Sequence, residues 1–363
     1  MAERPLPDSF DFPTLVAALA LAFLGVLAIA SATHADPTVG ALWKTQLVWL
    51  ALATAGLLLI VAVDYHTWAD LALVFHAVVA GLLVLVLLFG REVGGNKSWL
   101  VAGPVRLQPS ELAKWTTCLA LSAYLATRVR GFVTARDVVR MGLIAGVPMV
   151  LTLAQPDTGT ALTFIPMYVV ALLIGGLRWR VVVIALLLAM LAAPFLWGHL
   201  EGYQRERVLT VLDPDRDPSG VGYQVRQSKI AVGSGGWTGK GLFAGTQSQL
   251  NFLPAKHTDF VLAVVAEELG FVGAGVVVAL FYFLFWRGIR GARASQDRLG
   301  SCICLLVVAW LAGQFAVNVG MVLGVLPTIG VPLPLMSYGG SALVAAFAGV
   351  ALIVNVQSRR FVN

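Results

Sequence analysis

The chain has 363 residues, of which 58% are hydrophobic and 12% charged, and its mean hydropathy is +0.84. Soluble domains carry roughly 25% charged residues, so the composition excludes an ordinary water-soluble domain and indicates an integral membrane protein. The net charge of +6 comes mostly from loop arginines and requires no nucleic-acid partner. Three cysteines, Cys118, Cys302 and Cys304, lie in apolar runs and predict neither a disulfide framework nor a metal site.

Long apolar runs without polar alternation predict membrane-spanning helices rather than barrel strands. Ten such runs lie at about 12–31, 43–63, 68–90, 109–127, 138–153, 158–175, 179–197, 259–286, 301–323 and 337–357. We therefore expect an all-α, polytopic integral membrane protein with about ten transmembrane helices, forming a single membrane domain over residues 1–363. Its longest connection, the extracytoplasmic loop 198–258 between helices 7 and 8, is long and polar enough to carry function.

Basic residues in the short loops predict the orientation of the chain in the membrane. They concentrate in alternate connections and at the end of the chain: Arg128, Arg130, Arg136, Arg140, Arg178, Arg180, Arg287, Arg290, Arg293, Arg298, Arg359 and Arg360. The opposite short loops, between helices 5 and 6 and between helices 9 and 10, carry no Lys or Arg. Both termini are therefore expected in the cytoplasm, with the loop 198–258 on the opposite, outer side of the membrane.

Residues 245–268 run from a polar loop into an apolar helix, and Asp259 lies at the junction, after Lys256 and His257. A carboxylate at a membrane boundary, beside a cation and an imidazole, is costly to bury and marks a candidate functional site. The alternative is a helix cap, because Thr258 or Asp259 could accept hydrogen bonds from the first free N–H groups.

Two further acidic positions lie near the same predicted face. Glu111 and Lys114 share one side of a helix that opens at Pro109, and they either fix the helix end as an ion pair or line a polar cavity. Asp157 lies in the turn Q-P-D-T-G-T, where it is either a helix cap or a second acid.

The remaining loops toward this face each suggest a local structure. Residues 99–101 are predicted to form a short interfacial segment because tryptophan prefers the headgroup zone. Residues 224–232 are predicted to form a short amphipathic helix on the membrane surface. Residues 326–341 are rich in proline and glycine, so their backbone must be irregular and must be buried in protein or line a water-filled cavity. Asn318, a lone polar group in an apolar helix, is interpreted as interhelical glue.

A mixed acidic and basic cavity beside lipid suits an amphiphile with a phosphorylated head and a long tail. Carboxylates provide a general base, and cations hold phosphates. Basic loop residues lie nearby: Arg106, Arg226, Lys229, Lys240 and Lys256. These residues alone do not separate such an enzyme from a transporter with a polar substrate path. No ATP-binding motif is present, so energy would come from an ion gradient or from an activated substrate.

Several motifs resemble the SEDS family, and more closely its elongation branch than its division branch. They are R-L-Q-P-S-E-L-A-K (106–114), Q-P-D-T-G-T (155–160), L-D-P-D-R-D-P-S-G-V-G-Y-Q (212–224), the run 230–250, F-L-P-A-K-H-T-D-F (252–260), A-E-E-L-G-F (266–271) and the run 326–341. The resemblance covers nearly the whole chain. It implies a peptidoglycan glycosyltransferase that polymerises lipid II, working with a class B penicillin-binding protein and other proteins of the elongation complex.

The resemblance also assigns roles to residues. The family aspartate in H-T-D-F matches Asp259, which is expected to be the catalytic base. The residues expected to support it or to bind substrate are Glu111, Lys114, Ser110, Gln108, Asp157, Lys256, His257, Gln249, Ser337 and Tyr338. The candidate cofactor is a divalent cation (Mg or Mn) bound with the diphosphate, and the sequence shows no protein-only cage for it. A lipid II flippase is the alternative function, and a scaffold that only activates the penicillin-binding protein is a third hypothesis.

Overall fold

The computed structural model describes residues 10–36, 38–93, 96–103, 105–127, 132–196, 198, 202–213, 217 and 220–359. Arg128, Arg130 and Arg360, on which the predicted orientation partly rests, lie outside the described residues. The helices are α1 Phe12–Thr33, α2 Leu42–Ala62, α3 Tyr65–Asp70, α4 Ala72–Phe89, α5 Pro109–Thr127, α6 Ala135–Leu153, α7 Thr158–Leu162, α8 Phe164–Ile174, α9 Trp179–Leu196, α10 Gly202–Leu212, α11 Val221–Ser234, α12 Thr246–Gln249, α13 Val261–Ala294, α14 Arg298–Val322 and α15 Gly340–Ser358.

The chain is a helical, polytopic membrane protein, as the sequence predicts. By length and composition, six helices among the described residues can cross a membrane: α1, α2, α4, α13, α14 and α15. The other four predicted spans correspond to α5, α6, α9 and the pair α7–α8. The total of ten spans stays a prediction.

Three spans differ from the prediction because local chemistry interrupts or delays the helix. The span at 158–175 divides at Thr163, and Pro166 lacks the N–H that would continue the helix toward residue 162. The eighth span begins at Val261 rather than at Asp259, and the tenth begins at Gly340, after the turn that holds Ser337. Asp259 and Ser337 therefore lie in turns, outside the helices.

The bundle has a buried centre and a surrounding layer of lipid-facing helices. In α15, 78% of the most apolar 18-residue stretch is buried, so α15 is central. The corresponding share is 22% in α2 and α4, which are peripheral, and in α13, whose N-terminal residues Val261–Glu268 are nevertheless buried. α15 packs along α2, α13 packs along α14, and α5 lies between α4 and α14.

A small sheet contains residues 99–101, for which an interfacial segment is predicted. Strands β1 Arg91–Val93, β2 Asn96–Ala102 and β3 Val105–Leu107 form an antiparallel meander, with Leu100 paired to Leu107. Gly103, with φ of 60°, provides the left-handed position in the turn between β2 and β3. Backbone pairing thus determines the conformation of residues 99–101, and their place at the membrane interface stays a prediction.

Of the described part of the long loop 198–258, residues 221–258 fold against the bundle. The predicted amphipathic helix is part of α11, which packs against α13 and α14, and the Ser228 hydroxyl donates to the Val322 carbonyl over 2.8 Å. The segment 235–245 then docks against a break in α13 at Gly270, whose φ is 67°. There the amides of Phe271 and Val272 donate to the carbonyls of Gly236 and Trp237 over 2.8 and 3.1 Å. The break in α13 thus forms the docking site for the segment 235–245.

The segment 323–339 is irregular, and its second half, 331–337, is almost entirely buried, so the prediction of an irregular backbone held in protein is confirmed for that half. Neighbouring helices approach it closely. A Cβ added at Gly25 would lie 2.3 Å from the carbonyl oxygen of Met336, and one at Gly159 would lie 2.2 Å from that of Ile329. Side chains bind its main chain, for example the Gln46 amide, which donates to the Ser337 carbonyl over 3.1 Å. Near a membrane, protein groups of this kind provide the hydrogen bonds that water would otherwise make to an irregular backbone.

Candidate active site

A cavity of about 240 Å³ opens where α5, α7, α13 and α15 begin. Its polar walls are formed by Ser98, Gln108, Glu111, Asp157, Asp259 and Tyr338. The N-terminal ends of three long helices, α5, α13 and α15, meet at this cavity. Because each helix N-terminus carries partial positive charge, the cavity favours anionic groups.

Asp259 lies in the turn that precedes α13, and its amide donates to the carbonyl of Ala255 over 3.0 Å. No side-chain cap bond forms at the start of α13, so the capping alternative for Asp259 is not what the structure contains. The carboxylate points toward Gly330, since a Cβ added there would lie 3.7 Å from Oδ2. Burial raises the pKa of Asp259 to about 6, while the Thr258 side chain and the charge of Arg207 act to lower it.

Asp157 both caps a helix and faces the cavity, so its two alternatives coexist. Oδ1 accepts from the Thr160 amide over 3.1 Å at the start of α7, and Oδ2 accepts from the Gln108 side-chain amide over 3.0 Å. Burial raises the pKa of Asp157, and its charge in turn raises that of Asp259. The cavity therefore holds two carboxylates that interact electrostatically.

Glu111 and Lys114 form a buried ion pair, with side chains 2% and 1% exposed and an N–O distance of 2.8 Å. Glu111 lines the cavity, whereas Lys114 lies behind it and is not among the lining residues. The Lys114 ammonium also donates to Gln314 Oε1 over 3.0 Å and lies 5.5 Å from the centre of the Trp310 ring. The expectation that both residues line the cavity was therefore wrong for Lys114, which acts on the cavity through its bonds to Glu111 and Gln314 and through its charge, which lowers the pKa of Asp157.

Gln108 and Tyr338 line the cavity, but Ser110 and Ser337 do not. Ser110 is fully buried, and its hydroxyl has no hydrogen-bond partner among the described residues. The Ser337 hydroxyl donates to the carbonyl of Thr258 and accepts from the amide of Leu333, so it joins the turn before α13 to the loop before α15. Ser337 can act on the site only by holding these two segments together.

Lys256, His257 and Gln249 also lie outside the cavity walls. The Lys256 ammonium donates to the carbonyl of Ser248 over 2.6 Å and to the Asn251 side chain. His257 stacks edge-on against Tyr338, with ring centres 5.8 Å apart, and Gln249 donates to the carbonyl of Ser31 over 2.7 Å. These three residues fold the turn before Asp259, and in this conformation none of them faces the cavity.

Lys240, one of the cations expected to hold phosphate, is engaged in a different buried network. Its ammonium donates to Glu267 over 2.6 Å, and Glu267 is fully buried within α13. The same carboxylate oxygen accepts from the Thr246 hydroxyl and from the Gln247 amide, both over 3.1 Å. Lys240 thus anchors the segment 235–250 to α13 rather than extending toward a substrate.

Besides the cavity-lining Ser98, Thr160 and Thr258, sequence reasoning did not assign four further contributors to the site. Trp99 lines the cavity from β2, and Arg207 on α10 acts electrostatically on Asp259. Gln314 and Asn318 on α14 bind groups around the cavity from behind. Polar side chains four residues apart in an apolar helix were the available signal for the last two.

The donor set fits a metal ion only in part. Among the described residues, no group of three or more His, Cys, Asp or Glu side chains could hold an ion. Asp157 and Asp259 both face the cavity and carry the hard oxygen donors that Mg²⁺ and Mn²⁺ prefer. A cation accompanying a diphosphate would need that diphosphate and water for its remaining ligands.

Comparisons with known proteins match nearly the full length of the chain. Residues 12–361 match the family model FTSW_RODA_SPOVE, described as "Cell cycle protein". "Peptidoglycan glycosyltransferase MrdB" of Escherichia coli (strain K12) is 38% identical, over 99% of this chain and 98% of the relative. "Probable peptidoglycan glycosyltransferase FtsW" of Idiomarina loihiensis is 34% identical, over 99% of this chain and 89% of the relative.

Solved structures agree with these relatives. A chain from a study described as "Structural coordination of polymerization and crosslinking by a peptidoglycan synthase complex" superposes with a TM-score of 0.85 at 34% identity, over 98% of this chain and 100% of that chain. The rod shape determining protein RodA of Thermus thermophilus superposes with a TM-score of 0.74 at 30% identity, over 99% of this chain and 100% of that one.

Proposed function

This chain belongs to the FtsW, RodA and SpoVE family and is a peptidoglycan glycosyltransferase of the bacterial inner membrane, and we propose that it polymerises lipid II into β-1,4-linked glycan strands during cell elongation. The observation that carries the proposal is the cavity where Glu111, Asp157 and Asp259 meet the N-termini of three helices. This cavity combines ionisable oxygens with a field that favours anions. A lipid-linked diphosphate reacting with a hydroxyl needs both.

Asp259 is the general base of the proposed reaction. It accepts the proton of the acceptor's GlcNAc 4-hydroxyl as that oxygen attacks C1 of the donor MurNAc. The bond from C1 to the diphosphate oxygen breaks, and undecaprenyl diphosphate leaves with both electrons of that bond. One direct displacement converts the α-linked donor into a β-1,4 product without a covalent enzyme intermediate. A base with a pKa of about 6 is ionised at neutral pH and still accepts a proton readily.

Glu111 and Asp157 orient groups around the base rather than exchanging the proton. Asp157 is held by Gln108 and by the start of α7, and Glu111 is held by Lys114. Fixed carboxylates of this kind suit the sugar hydroxyls, which donate hydrogen bonds to ionised oxygens. The convergent helix N-termini are available to the leaving diphosphate.

Both termini lie in the cytoplasm in this proposal, and the cavity opens on the outer face, where lipid II presents its head group. The proposed partner is a class B penicillin-binding protein, which crosslinks the strands, within a complex that includes other elongation proteins. The similarity to a chain from a complex that coordinates polymerization and crosslinking supports this assignment.

The test is polymerisation of labelled lipid II by the purified protein, with and without a class B partner whose own active sites are inactivated. Glycan ladders that require this chain are the expected result. No polymer under any partner or metal condition, together with lipid II crossing vesicle bilayers, would instead identify a flippase.

A further inference from the structure

One face of α14 carries a row of polar side chains within an otherwise apolar helix. Trp310, Gln314 and Asn318 are spaced four residues apart, so they lie above one another along the helix. Gln314 is 2% exposed and Asn318 is fully buried. Buried side-chain amides are costly unless they are hydrogen-bonded, so their partners indicate their purpose.

Gln314 connects the Glu111–Lys114 pair to the loop before α15. Its Oε1 accepts from the Lys114 ammonium and from the Trp310 indole N–H, both over 3.0 Å. Its Nε2 donates to the carbonyl of Pro332 over 2.9 Å. The ammonium that holds Glu111 at the cavity wall is thus itself held in position by α14.

Asn318 makes the corresponding connection to Asp259. Its Nδ2 donates to the carbonyl of Asp259 and to the carbonyl of Val331, both over 2.8 Å. Because Val331 and Pro332 are adjacent, the side-chain amides of Gln314 and Asn318 donate to neighbouring carbonyls of one loop. Gly330 and Pro332 from that loop line the cavity.

We propose that Gln314 and Asn318 are positioning residues for glycosyl transfer, because from successive turns of α14 they hold the Glu111–Lys114 pair, the main chain at Asp259 and the loop 330–332 in one fixed arrangement. This inference rests on the proposed function, since it assigns a role in the reaction for which Asp259 is the base. Neither side chain lines the cavity, so both act through the residues that they hold.

A positioning role predicts an effect on the kinetics that an ordinary packing role does not. A small displacement of the base from the acceptor hydroxyl slows the chemical step, whereas substrate binding is distributed over the rest of the cavity. Loss of a positioning residue therefore lowers kcat much more than it raises KM. Loss of an ordinary packing contact lowers the amount of folded protein and leaves the kinetics of the folded fraction unchanged.

The chain offers a matched control in Asn355. This fully buried asparagine near the C-terminal end of α15 donates from Nδ2 to the carbonyls of Ile60 and Val63 over 2.7 and 2.6 Å, whereas the cavity lies at the N-terminal end of that helix. Asn355→Leu and Asn318→Leu are the same substitution, and each removes two bonds to main-chain carbonyls, while Asn355→Leu also removes the bond from Arg359 Nε to Oδ1. The comparison separates an effect on the site from an effect on the bundle.

The experiment measures kcat and KM for lipid II polymerisation, with melting temperature in detergent, for wild type, Asn318→Leu, Gln314→Leu and Asn355→Leu. We expect both α14 variants to lose about tenfold or more in kcat with KM changed by less than about threefold. We expect Asn355→Leu to keep its kinetics while its melting temperature falls as far as that of Asn318→Leu. Where Asn318→Leu does not fold, Asn318→Ser is measured by the same criterion.

Equal kinetics in Asn318→Leu and Asn355→Leu would overturn the inference and leave the proposed function intact. A rise in KM alone, with kcat unchanged, would also overturn it, because that result describes a substrate contact. Failure of the wild type to polymerise lipid II would count against the proposed function itself, so the two failures are distinguishable.

Discussion

The charge state of Asp259 is determined by a balance of burial against neighbouring groups. Burial acts most strongly and raises its pKa to about 6, while the Thr258 side chain and Arg207 oppose this effect. An isolated sequence shows the aspartate but not this balance, because Arg207 lies more than fifty positions away along the chain. The ionised form, which is the base, is the form lost as pH falls.

The first prediction concerns this pH dependence. The initial rate of polymerisation should fall on the acid side, with its half-point near pH 6, because the base becomes protonated as pH falls through its pKa. The measurement is initial rate against pH at saturating lipid II. Asp36→Asn, a change in a carboxylate outside the cavity walls, should leave the profile in place. A rate that stays constant well below pH 5 would contradict the assignment of this pKa to the base.

The second prediction concerns the buried pair Glu111–Lys114. Glu111→Gln leaves the Lys114 ammonium without its anion in a site that is almost fully buried, and such a loss costs about 3–5 kcal/mol. The double variant Glu111→Gln with Lys114→Met removes both charges and should recover much of that stability. Thermal unfolding of Glu111→Gln, Lys114→Met and the double variant in detergent measures the coupling energy between the two charges. Additive losses in the double variant would show that the two charges do not stabilise each other.

Among the helices and loops, the break in α13 has a function that its sequence does not reveal. Gly270 adopts a left-handed φ of 67° inside a helix of 34 residues, and the freed amides bind the segment 235–245. The motif A-E-E-L-G-F contains both the break and Glu267, the residue that holds Lys240. The motif therefore positions the long loop, and through α12 and its contacts the turn that leads to Asp259.

The third prediction tests this break. In Gly270→Ala the added Cβ would lie 2.3 Å from the Gly239 amide nitrogen, and the backbone conformation disfavours any side chain. We expect a lower melting temperature and reduced polymerisation, because the segment 235–245 loses its docking site. Gly275→Ala in the same helix is the control, since nothing lies within 4 Å of its added Cβ. Equal behaviour of the two variants would argue against a role for the break.

How far the sequence predicts this site depends on whether a residue acts locally or through distant partners. Hydropathy and the junction at 258–260 predict the helices and single out Asp259, because both signals are local. The positions of Lys114 and Lys256 depend on which carbonyl or side chain they meet after folding, so the sequence misplaces them as cavity residues. The sheet at 91–107 was missed for the same reason, since a strand depends on the partners with which it pairs after folding.

The orientation of the whole protein in the membrane is predicted from the distribution of arginine alone. The fourth prediction is that Ala35→Cys reacts from outside intact cells with a membrane-impermeant maleimide, whereas Gln296→Cys reacts only after lysis. Both positions are exposed, and the native Cys118, Cys302 and Cys304 are buried, so the background should be low. The reverse pattern would place the cavity on the cytoplasmic face and would contradict the proposed access to lipid II.

The cavity, the helix N-termini and the two amides of α14 all converge on one claim, that Asp259 is the base for glycosyl transfer. The most direct test compares the initial rate of lipid II polymerisation by wild type, Asp259→Asn and Asp36→Asn, prepared at equal folded concentration. Asp259→Asn retains the shape of the side chain but cannot accept the proton, so we expect a loss of about 10²-fold or more, with Asp36→Asn near the wild-type rate. A wild-type rate from Asp259→Asn would contradict the account.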